Sequence, residues 1–303
     1  MATLREIRRR LGGFRSMVKI TQAMKMVAAA KLRRAQDAMI SARPYSRALD
    51  SLLKNLLASA GDEIAQSPML FGRNLHDANS EKVLLIIVSS DRGLAGAFNA
   101  NIIKFAEARM REVYSEHLNS KRLSLITVGR RSTDHFSRRG YDIIEKHIGI
   151  FTKLDFSTAK AIAEKATELF ANAEYDKIEV IYNEFKSIIT QRQTADRLLP
   201  VLDRSKLGEV EKGTTTLEYI YEPEPAEILN VLVPRQLETQ IWKSLLESNA
   251  AEQGARMTAM DSATKNAKDL IKALQLSYNK ARQAAITKEI LEIVGGAEAL
   301  TKG

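Results

Sequence analysis

Two long stretches, one near each end of the chain, place apolar residues at the first and fourth positions of a seven-residue repeat. Only Thr21, Lys25 and Ser46 interrupt the first stretch. A repeat sustained over so many turns predicts a coiled coil. Because both ends carry it, we expect a long antiparallel coiled coil of the N- and C-terminal helices, with the middle of the chain inserted as a separate α/β head domain. The repeat positions are Leu4, Ile7, Leu11, Phe14, Val18, Ala28, Leu32, Ala35, Met39, Ala42, Leu49, Leu53 and Leu56, then Leu237, Ile241, Leu245, Met260, Ala263, Ala267, Ile271, Leu274, Tyr278, Ala281, Ala285, Ile290 and Val294.

The middle of the chain alternates strand-like apolar runs with helix-like segments, which predicts a doubly wound, Rossmann-like sheet with an antiparallel edge. The predicted strands are 82–89, 122–128, 141–144 and 177–185, followed by an antiparallel pair at 192–202 and 215–221 around the polar loop 203–214. The predicted helices are 100–117, 134–139 and 157–173, the last capped by Ser157 or Thr158.

Prolines and polar connectors divide the chain. We predict an N-terminal coiled-coil helix at 1–59, a head domain at 60–225 and a C-terminal coiled-coil helix at 226–303. Pro44 should kink the first helix or end it near Arg43. A short helix at 226–232 should stop before Pro234, which then begins the last long helix.

The composition excludes several kinds of site. The chain has no cysteine, so disulfides, thiolate metal sites and a cysteine nucleophile are excluded, and its four scattered histidines disfavour a zinc site. No stretch approaches ~20 consecutive apolar residues, so we expect a soluble or peripheral protein. Residues 1–59 hold 13 Lys and Arg against three Asp and Glu, while the whole chain has a net charge of +9. This basic helix predicts an acidic partner surface around it.

The segment SSDRGLAGAFN (Ser89–Asn99) follows a predicted strand and opens a helix, where phosphate-binding loops occur. It matches neither glycine-rich phosphate-binding motif, so a structural turn with Asp91 as a cap is favoured over a nucleotide site. Ser89 and Ser90 lack a nearby histidine base and the spacing of a nucleophile elbow. We therefore predict no catalytic, cofactor-binding or metal-binding residues.

Both terminal segments carry unusual surfaces. ITQAMKMVAAAKLRRAQ (20–36) sets apolar residues beside the seam among basic ones, and LQLSYNKARQAAITKEILEIVGGAEAL (274–300) ends in a tip that is apolar on all sides. Such a tip needs a surrounding partner. The two segments closely resemble the gamma subunit of F-type ATP synthases. The segment SSDRGLAGAFN resembles that family's turn, with Ala95 and Ala97 where Cys and Gly often stand. The chloroplast-type insertion with its cysteines is absent, so thiol regulation is not expected.

The resemblance implies a non-catalytic central stalk inside a ring of three α and three β subunits, resting with the epsilon subunit on the c-subunit ring. Proton flow would turn the c ring and the stalk, and the stalk would drive the β subunits through their nucleotide states. It further implies a peripheral position on the cytoplasmic face of the bacterial inner membrane, with membrane contact only through the c ring. By motif, the implied partner-binding residues are Met24, Lys25, Lys31 and Arg34 at acidic β-subunit loops, Arg282, Gln283, Thr287, Glu289 and Glu292 at α/β loops, and Ile290, Ile293 and Val294 in an apolar sleeve.

Two other functions remain open from the residues alone. The first is a basic coiled-coil protein that binds nucleic acid. It is disfavoured because the basic residues surround the helix instead of forming one stripe, and because aromatic residues are scarce. The second is a small enzyme built on the α/β domain. Neither alternative accounts for the apolar C-terminal tip.

Overall fold

The computed structural model describes residues 3–59, 68–73, 80–202, 222 and 224–301. The chain forms two compact units. We call residues 1–28 with 256–303 the paired-helix unit, and residues 29–255 the sheet unit. The helices are α1 Leu4–Ser59, α2 Pro68–Phe71, α3 Phe98–Glu112, α4 Ser115–Asn119, α5 Arg130–Arg138, α6 Phe156–Ala171 and α7 Pro225–Thr301, and the strands are β1 Val83–Val88, β2 Leu123–Val128, β3 Ile143–His147, β4 Lys177–Phe185 and β5 Gln191–Leu199.

The apolar repeat gives α1, and α7 as far as Ala267, a stripe of buried side chains that stabilises the helix. Helix α7 has 77 residues, which corresponds to about 115 Å at the usual rise per residue. Many of the predicted repeat positions are buried, among them Ile7, Leu11 and Ala28 in the paired-helix unit. Leu32, Ala35, Met39, Leu49, Leu53 and Leu56 are buried in the sheet unit. The predicted α/β class with long N- and C-terminal helices is confirmed.

Neither proline ends a helix, so the predictions of a stop near Arg43 and of a break before Pro234 are wrong. Pro44 lies inside α1 and Pro234 lies inside α7. A proline leaves the carbonyl four residues earlier without its helical donor. Those residues are Ile40 and Asn230, and both are exposed. Water can therefore hydrate the freed carbonyls, which lowers the cost of continuing each helix.

The sheet has the order β3-β2-β1-β4-β5. The pairs β1–β2, β2–β3 and β1–β4 are parallel, and β5 joins the edge antiparallel to β4. This confirms a doubly wound sheet with an antiparallel edge. Strand β5 pairs with β4, and the predicted partner strand 215–221 and the loop 203–214 lie outside the described residues.

Apolar side chains cover both faces of β1, which explains its unbroken apolar sequence. Leu84, Ile86 and Val88 pack in a core with α6 and with residues 229–245 of α7. Val83, Leu85 and Ile87 pack on the other face in a core with α3 and α5. Each face of the sheet is thus closed by helices, as the strand-helix alternation predicts.

Local details differ from the prediction at several element ends. The predicted helix 100–117 is divided into α3 and α4, and the third strand runs from Ile143 to His147. The cap of α6 is Asp155, whose carboxylate accepts a hydrogen bond from the Ser157 amide at 2.9 Å. The predicted caps Ser157 and Thr158 are therefore wrong. A carboxylate at this position also interacts favourably with the positive end of the helix dipole.

Candidate functional site

Two polar contacts fix the pairing of α1 with α7 inside the paired-helix unit. The buried hydroxyls of Thr21 and Thr264 lie 2.7 Å apart and share a hydrogen bond. The ammonium of Lys25 contacts the carboxylate of Asp261. Because the partner number falls as the number in α1 rises, the two helices are antiparallel here. Thr21 and Lys25, two of the residues that interrupt the apolar repeat of α1, thus each bind a residue of α7 and define the register of the pairing.

Beside this seam, α1 carries a second apolar row, each member of which directly precedes a seam position in sequence. Met17, Ile20 and Val27 are exposed, and Met24 is half-buried. The spacing of three, four and three residues places these four side chains in one row. Met24 was predicted to bind a partner, and Met17 and Ile20, which were not, lie in the same row. Their spacing from Met24 is the sequence signal that places them there. Exposed apolar side chains that form one patch are candidates for contact with a partner.

The basic residues of α1 that were predicted to bind a partner differ in exposure and in ion pairing within the chain. Lys25 is engaged by Asp261, so its charge is already partly neutralised within the chain. Lys31 and Arg34, which lie in the sheet unit, are exposed and form no ion pair with any described residue. Lys31 and Arg34 are therefore the stronger candidates for contact with an acidic partner.

The last described turns of α7 are exposed on all sides: every side chain from residue 286 to residue 297 is exposed, whereas the repeat positions from Ile271 to Ala285 are half-buried. From residue 268 to residue 297 no side chain is buried. Gln283, Thr287, Ile290 and Val294 form one row at spacings of four, three and four residues. The predicted partner-binding residues Arg282, Glu289, Glu292 and Ile293 cover the adjoining face. Ile290, Ile293 and Val294 are 54%, 71% and 52% exposed.

The turn after β1 is held by hydrogen bonds within the chain. The Asp91 carboxylate accepts from the backbone amides of Arg130, Gly149 and Phe151 at 3.1, 2.8 and 3.4 Å. It thus caps α5, a different helix from the one that follows it in sequence. The Asn99 side chain bonds to both the amide and the hydroxyl of Ser90. These contacts give the turn a structural role. Asp91 ties it to α5 and to the segment after β3, and Asn99 ties it to Ser90.

A buried ion pair lies in the sheet unit between β4 and α3. The Glu179 carboxylate, whose side chain is 3% exposed, accepts bonds from Arg109 at 2.7 and 2.9 Å and from the Tyr114 hydroxyl at 2.5 Å. Burial disfavours the charged carboxylate, but Arg109 and Tyr114 outweigh it and hold the pKa of Glu179 below its ordinary value. Burial and the bond to Glu179 raise the pKa of Tyr114. Sequence reasoning missed this trio because 70 residues separate Arg109 from Glu179.

A second buried carboxylate, Glu247 on α7, lacks such support. Among the residues that the structure describes, none forms a hydrogen bond with its Oε2 atom. Burial raises the pKa of Glu247, and nearby Glu184 and Asp196 add to the effect against Lys243 and Arg43. A buried carboxylate without a full set of donors destabilises the fold when it is ionised.

We expect Glu247→Gln to stabilise the sheet unit by about 1 kcal/mol at pH 7.5. The pKa of Glu247 is higher in the folded chain than in the unfolded chain. Its contribution to stability therefore falls as the pH rises above the unfolded-state pKa and through the folded-state pKa. The gain from the substitution should therefore shrink toward pH 4.5. The free energy of unfolding is measured by urea denaturation, monitored by the fluorescence of Trp242, the single tryptophan of the chain. The exposed Glu164→Gln is the control, with a change below ~0.5 kcal/mol. A loss of stability in Glu247→Gln at pH 7.5 would contradict the assignment.

Two further properties limit the chemistry of the described residues. No three His, Cys, Asp or Glu side chains gather there as metal ligands would. None of the described helices is both long enough and apolar enough to cross a membrane.

Comparison with known sequences gives matches along the whole chain. The family model described as ATP synthase matches residues 3–300. The ATP synthase gamma chain of Chloroherpeton thalassium is 50% identical over 306 residues, and the alignment covers 99% of both chains. The ATP synthase gamma chain of Chlorobium luteolum is 49% identical over 300 residues, again with 99% of both chains covered.

Solved structures agree with the sequence matches. A chain in the central stalk and c-ring structure of the Tetrahymena thermophila mitochondrial ATP synthase is 28% identical with a TM-score of 0.60. The alignment covers 80% of this chain and 99% of that chain. A chain of the Euglena gracilis mitochondrial ATP synthase is 19% identical with a TM-score of 0.68, covering 99% of this chain and 95% of that one. The second similarity supports the fold alone.

Proposed function

This chain belongs to the ATP synthase gamma chain family, and from that premise we propose how its exposed surfaces engage the rest of the complex. The chain is the non-catalytic central-stalk subunit of a rotary ATP synthase, a complex associated with a membrane. The observation that carries the proposal is the exposure of unpaired apolar and basic side chains on α1, which buries its other side, and on the last described turns of α7, which are exposed all round. Surfaces of this kind need a partner.

The first surface is on α1 and meets the β subunits. Met24 contributes apolar contact, while Lys31 and Arg34 attract acidic loops. Exposed ion pairs are worth only ~0–1 kcal/mol each, so such contacts attract the loops without locking the stalk at one angle. Lys25 lies with Met24 in the paired-helix unit, whereas Lys31 and Arg34 lie in the sheet unit, and Lys25 shares part of its charge with Asp261.

The second surface is the C-terminal part of α7. We infer that its polar side chains meet loops of the α and β subunits, and that its apolar side chains turn inside an apolar sleeve. An apolar tip in an apolar sleeve has no directional bonds to break during rotation. The polar residues are Arg282, Gln283, Thr287, Glu289 and Glu292, and the apolar residues are Ile290, Ile293 and Val294.

The remaining partners follow from the same function. We propose that residues 60–225 form the head domain, which contacts the epsilon subunit and the c ring, between coiled-coil segments at 1–59 and 226–303. Proton flow through the membrane sector turns the c ring and couples to ATP synthesis or hydrolysis in the β subunits. The chain reaches the membrane only through the c ring, on the cytoplasmic face of a bacterial cell membrane, and binds no nucleic acid.

Reconstitution from purified subunits tests the proposal. Isolated α and β subunits are mixed with or without this chain, and complex formation and ATP hydrolysis are measured. We expect a stable complex with sustained hydrolysis only when the chain is present. If the chain neither joins the complex nor changes turnover, the proposal is wrong.

We expect the double substitution Lys31→Glu with Arg34→Glu to weaken binding to the α/β assembly about tenfold, because two attractive contacts become repulsive. The effect should decrease at high salt, which screens exposed charges. Equilibrium titration at low and high salt measures it. Arg33→Glu lies on the same helical turn but a different face, so it should change affinity less per charge. If Arg33→Glu and the double variant lower the affinity equally per charge, only the net charge of the helix matters.

A further inference from the structure

Within the sheet unit, α7 lies along the hairpin that β4 and β5 form. The side-chain amide of Gln240 donates a hydrogen bond to the backbone oxygen of Arg197 on β5 at 3.0 Å. Fourteen residues later, Gly254 meets Ile188 in the turn between the two strands. As the residue numbers rise along α7, its contacts therefore move from β5 toward the hairpin turn, over about 21 Å of helix.

Gly254 lets the hairpin turn approach α7 closely. A Cβ atom added at Gly254 would lie 3.3 Å from the backbone oxygen of Ile188 and 3.5 Å from a ring carbon of Phe185. Phe185 packs beside Ala251, which precedes Gly254 by one helical turn. The other glycines of the two long helices meet nothing within 4 Å, namely Gly12, Gly13, Gly295 and Gly296. Glycine inside a helix is unfavourable relative to alanine, so the close approach gives Gly254 a structural reason.

Hydrogen bonds within the hairpin turn hold its backbone in place. The Ser187 amide donates to the backbone oxygen of Thr190 at 3.0 Å, and the Thr190 amide donates to the Ser187 hydroxyl at 3.0 Å. The side-chain amide of Gln191 donates to the backbone oxygen of Ile188 at 3.1 Å. The oxygen that faces Gly254 is therefore fixed by its own hairpin, and moving it away from α7 breaks these bonds.

The contact at Gly254 opposes both rotation and sliding of α7 against the hairpin. Successive residues of a helix are about 100° apart, so rotation by one position would bring Gln253 or Ala255 to the oxygen of Ile188. Sliding by one helical turn would bring Thr258 there. Each of these residues carries a Cβ atom, and a Cβ atom at this place is already in tight contact at 3.3 Å. Gly254 therefore fixes both the angle and the height of α7.

This contact lies where α7 leaves the sheet unit. The sheet unit ends at Ala255, and α7 continues without a break into the paired-helix unit. The chain also crosses between the two units inside α1. Turning of the sheet unit is therefore passed to the paired helices through α1 and α7, provided that each helix is held firmly within the sheet unit.

We propose that the β4–β5 hairpin is the joint that holds α7 in the sheet unit and passes the turning of that unit to the helix, with Ile188 seated in the gap at Gly254. This inference rests on the proposed function, because only a rotating subunit has to pass on torque. The joint is internal to the chain, since Gly254 is buried. Gly254 acts as a positioning residue through the helix that it fixes.

Hydrogen exchange followed by mass spectrometry tests the contact in the full chain. Gly254→Leu should speed exchange several-fold in residues 186–191, because the added side chain forces the turn away from α7. Gly13→Leu is the matched control, since atoms added at that helical glycine meet nothing within 4 Å. Exchange in β1 should stay slow in both variants, which shows that the sheet unit is folded. If Gly254→Leu loosens β1, Gly254→Ala takes its place, because its Cβ atom still meets Ile188. Unchanged exchange in residues 186–191 of the folded variant would overturn the proposal.

The torsional stiffness of the assembled rotor gives a readout that a merely structural role of Gly254 would not change. The chain is assembled with α and β subunits that are fixed to a surface. A bead is attached to the sheet unit through Ser137→Cys, an exposed position in a chain without cysteine. The angular variance of the bead is then recorded without ATP. Because α1 and α7 both join the units, releasing α7 in the folded Gly254 variant should about double the variance.

Asn230→Leu is the control for the stiffness measurement, because it places a leucine at an exposed position of α7 in the sheet unit. Its variance should equal that of the unmodified chain. If the unmodified chain fails to assemble with the α and β subunits, the proposed function itself is wrong. If it assembles and the Gly254 variant has the same variance as Asn230→Leu, only the proposed joint is wrong.

Discussion

Arg109→Met is expected to destabilise the sheet unit by about 3–5 kcal/mol at pH 7.5, which is the usual cost of leaving a buried charge without its partner. Glu179 receives two hydrogen bonds from Arg109 and one from Tyr114. Methionine fills similar space but offers no donor. The Glu179 carboxylate would then retain one strong bond, with Lys177 at 3.9 Å as the remaining cation near it.

The pH dependence distinguishes this mechanism from a simple loss of packing. In the unmodified chain folding lowers the pKa of Glu179. Its contribution to stability is therefore present above the unfolded-state pKa and is lost as the pH falls through the folded-state pKa. Without Arg109, burial is no longer outweighed and the pKa of Glu179 rises. The deficit of Arg109→Met should therefore shrink as pH falls toward 4.5. A lost packing contact would give a deficit that is independent of pH.

Urea denaturation followed by Trp242 fluorescence measures both effects. The exposed Arg111→Met, on the same helix, is the control and should change stability by less than ~0.5 kcal/mol. Adding Glu179→Gln to Arg109→Met should recover part of the loss, because no buried charge remains. An Arg109→Met deficit below ~1 kcal/mol at pH 7.5 would contradict the interpretation.

Periodicity predicted most of the fold because burial follows local spacing. The repeat beginning at Leu4 and Ile7 reports which side of α1 is buried, and the continuous run Val83–Val88 reports a strand covered on both faces. Pattern reasoning failed where exposure decided the outcome. Pro44 and Pro234 continue their helices because the carbonyls that they free lie at exposed residues, where water replaces the missing donor, and the rule that proline ends a helix does not take this into account.

The candidate site also has residues that the sequence could locate and contacts that it could not. Lys31 and Arg34 are exposed because they lie off the buried stripe of α1, so the sequence repeat could locate them. Pairings between distant segments could not be predicted, because register depends on which residues meet after folding. Thr21 meets Thr264 across 243 residues, and Lys25 meets Asp261 across 236 residues in the same pairing.

Gly129→Ala is expected to destabilise the sheet unit by about 4 kcal/mol, from backbone strain and steric overlap together. Gly129 joins β2 to α5 with φ of +91°, a conformation that side chains rarely adopt. A Cβ atom there would lie 2.4 Å from the backbone oxygen of Ser89 and 2.8 Å from its hydroxyl oxygen. Ser89 cannot move away cheaply, because its hydroxyl binds both the amide and the hydroxyl of Ser132.

Gly140→Ala separates the two sources of this cost. Gly140 also has a positive φ, of +74°, but a Cβ atom added there meets nothing within 4 Å. Its substitution should cost only the strain, about 1–2 kcal/mol. Urea denaturation of both variants, followed by Trp242, gives the difference. If the two glycines cost the same, the contact with Ser89 relaxes without penalty. A larger cost at Gly129 means that the close approach of β1 to the start of α5 requires a residue without a side chain.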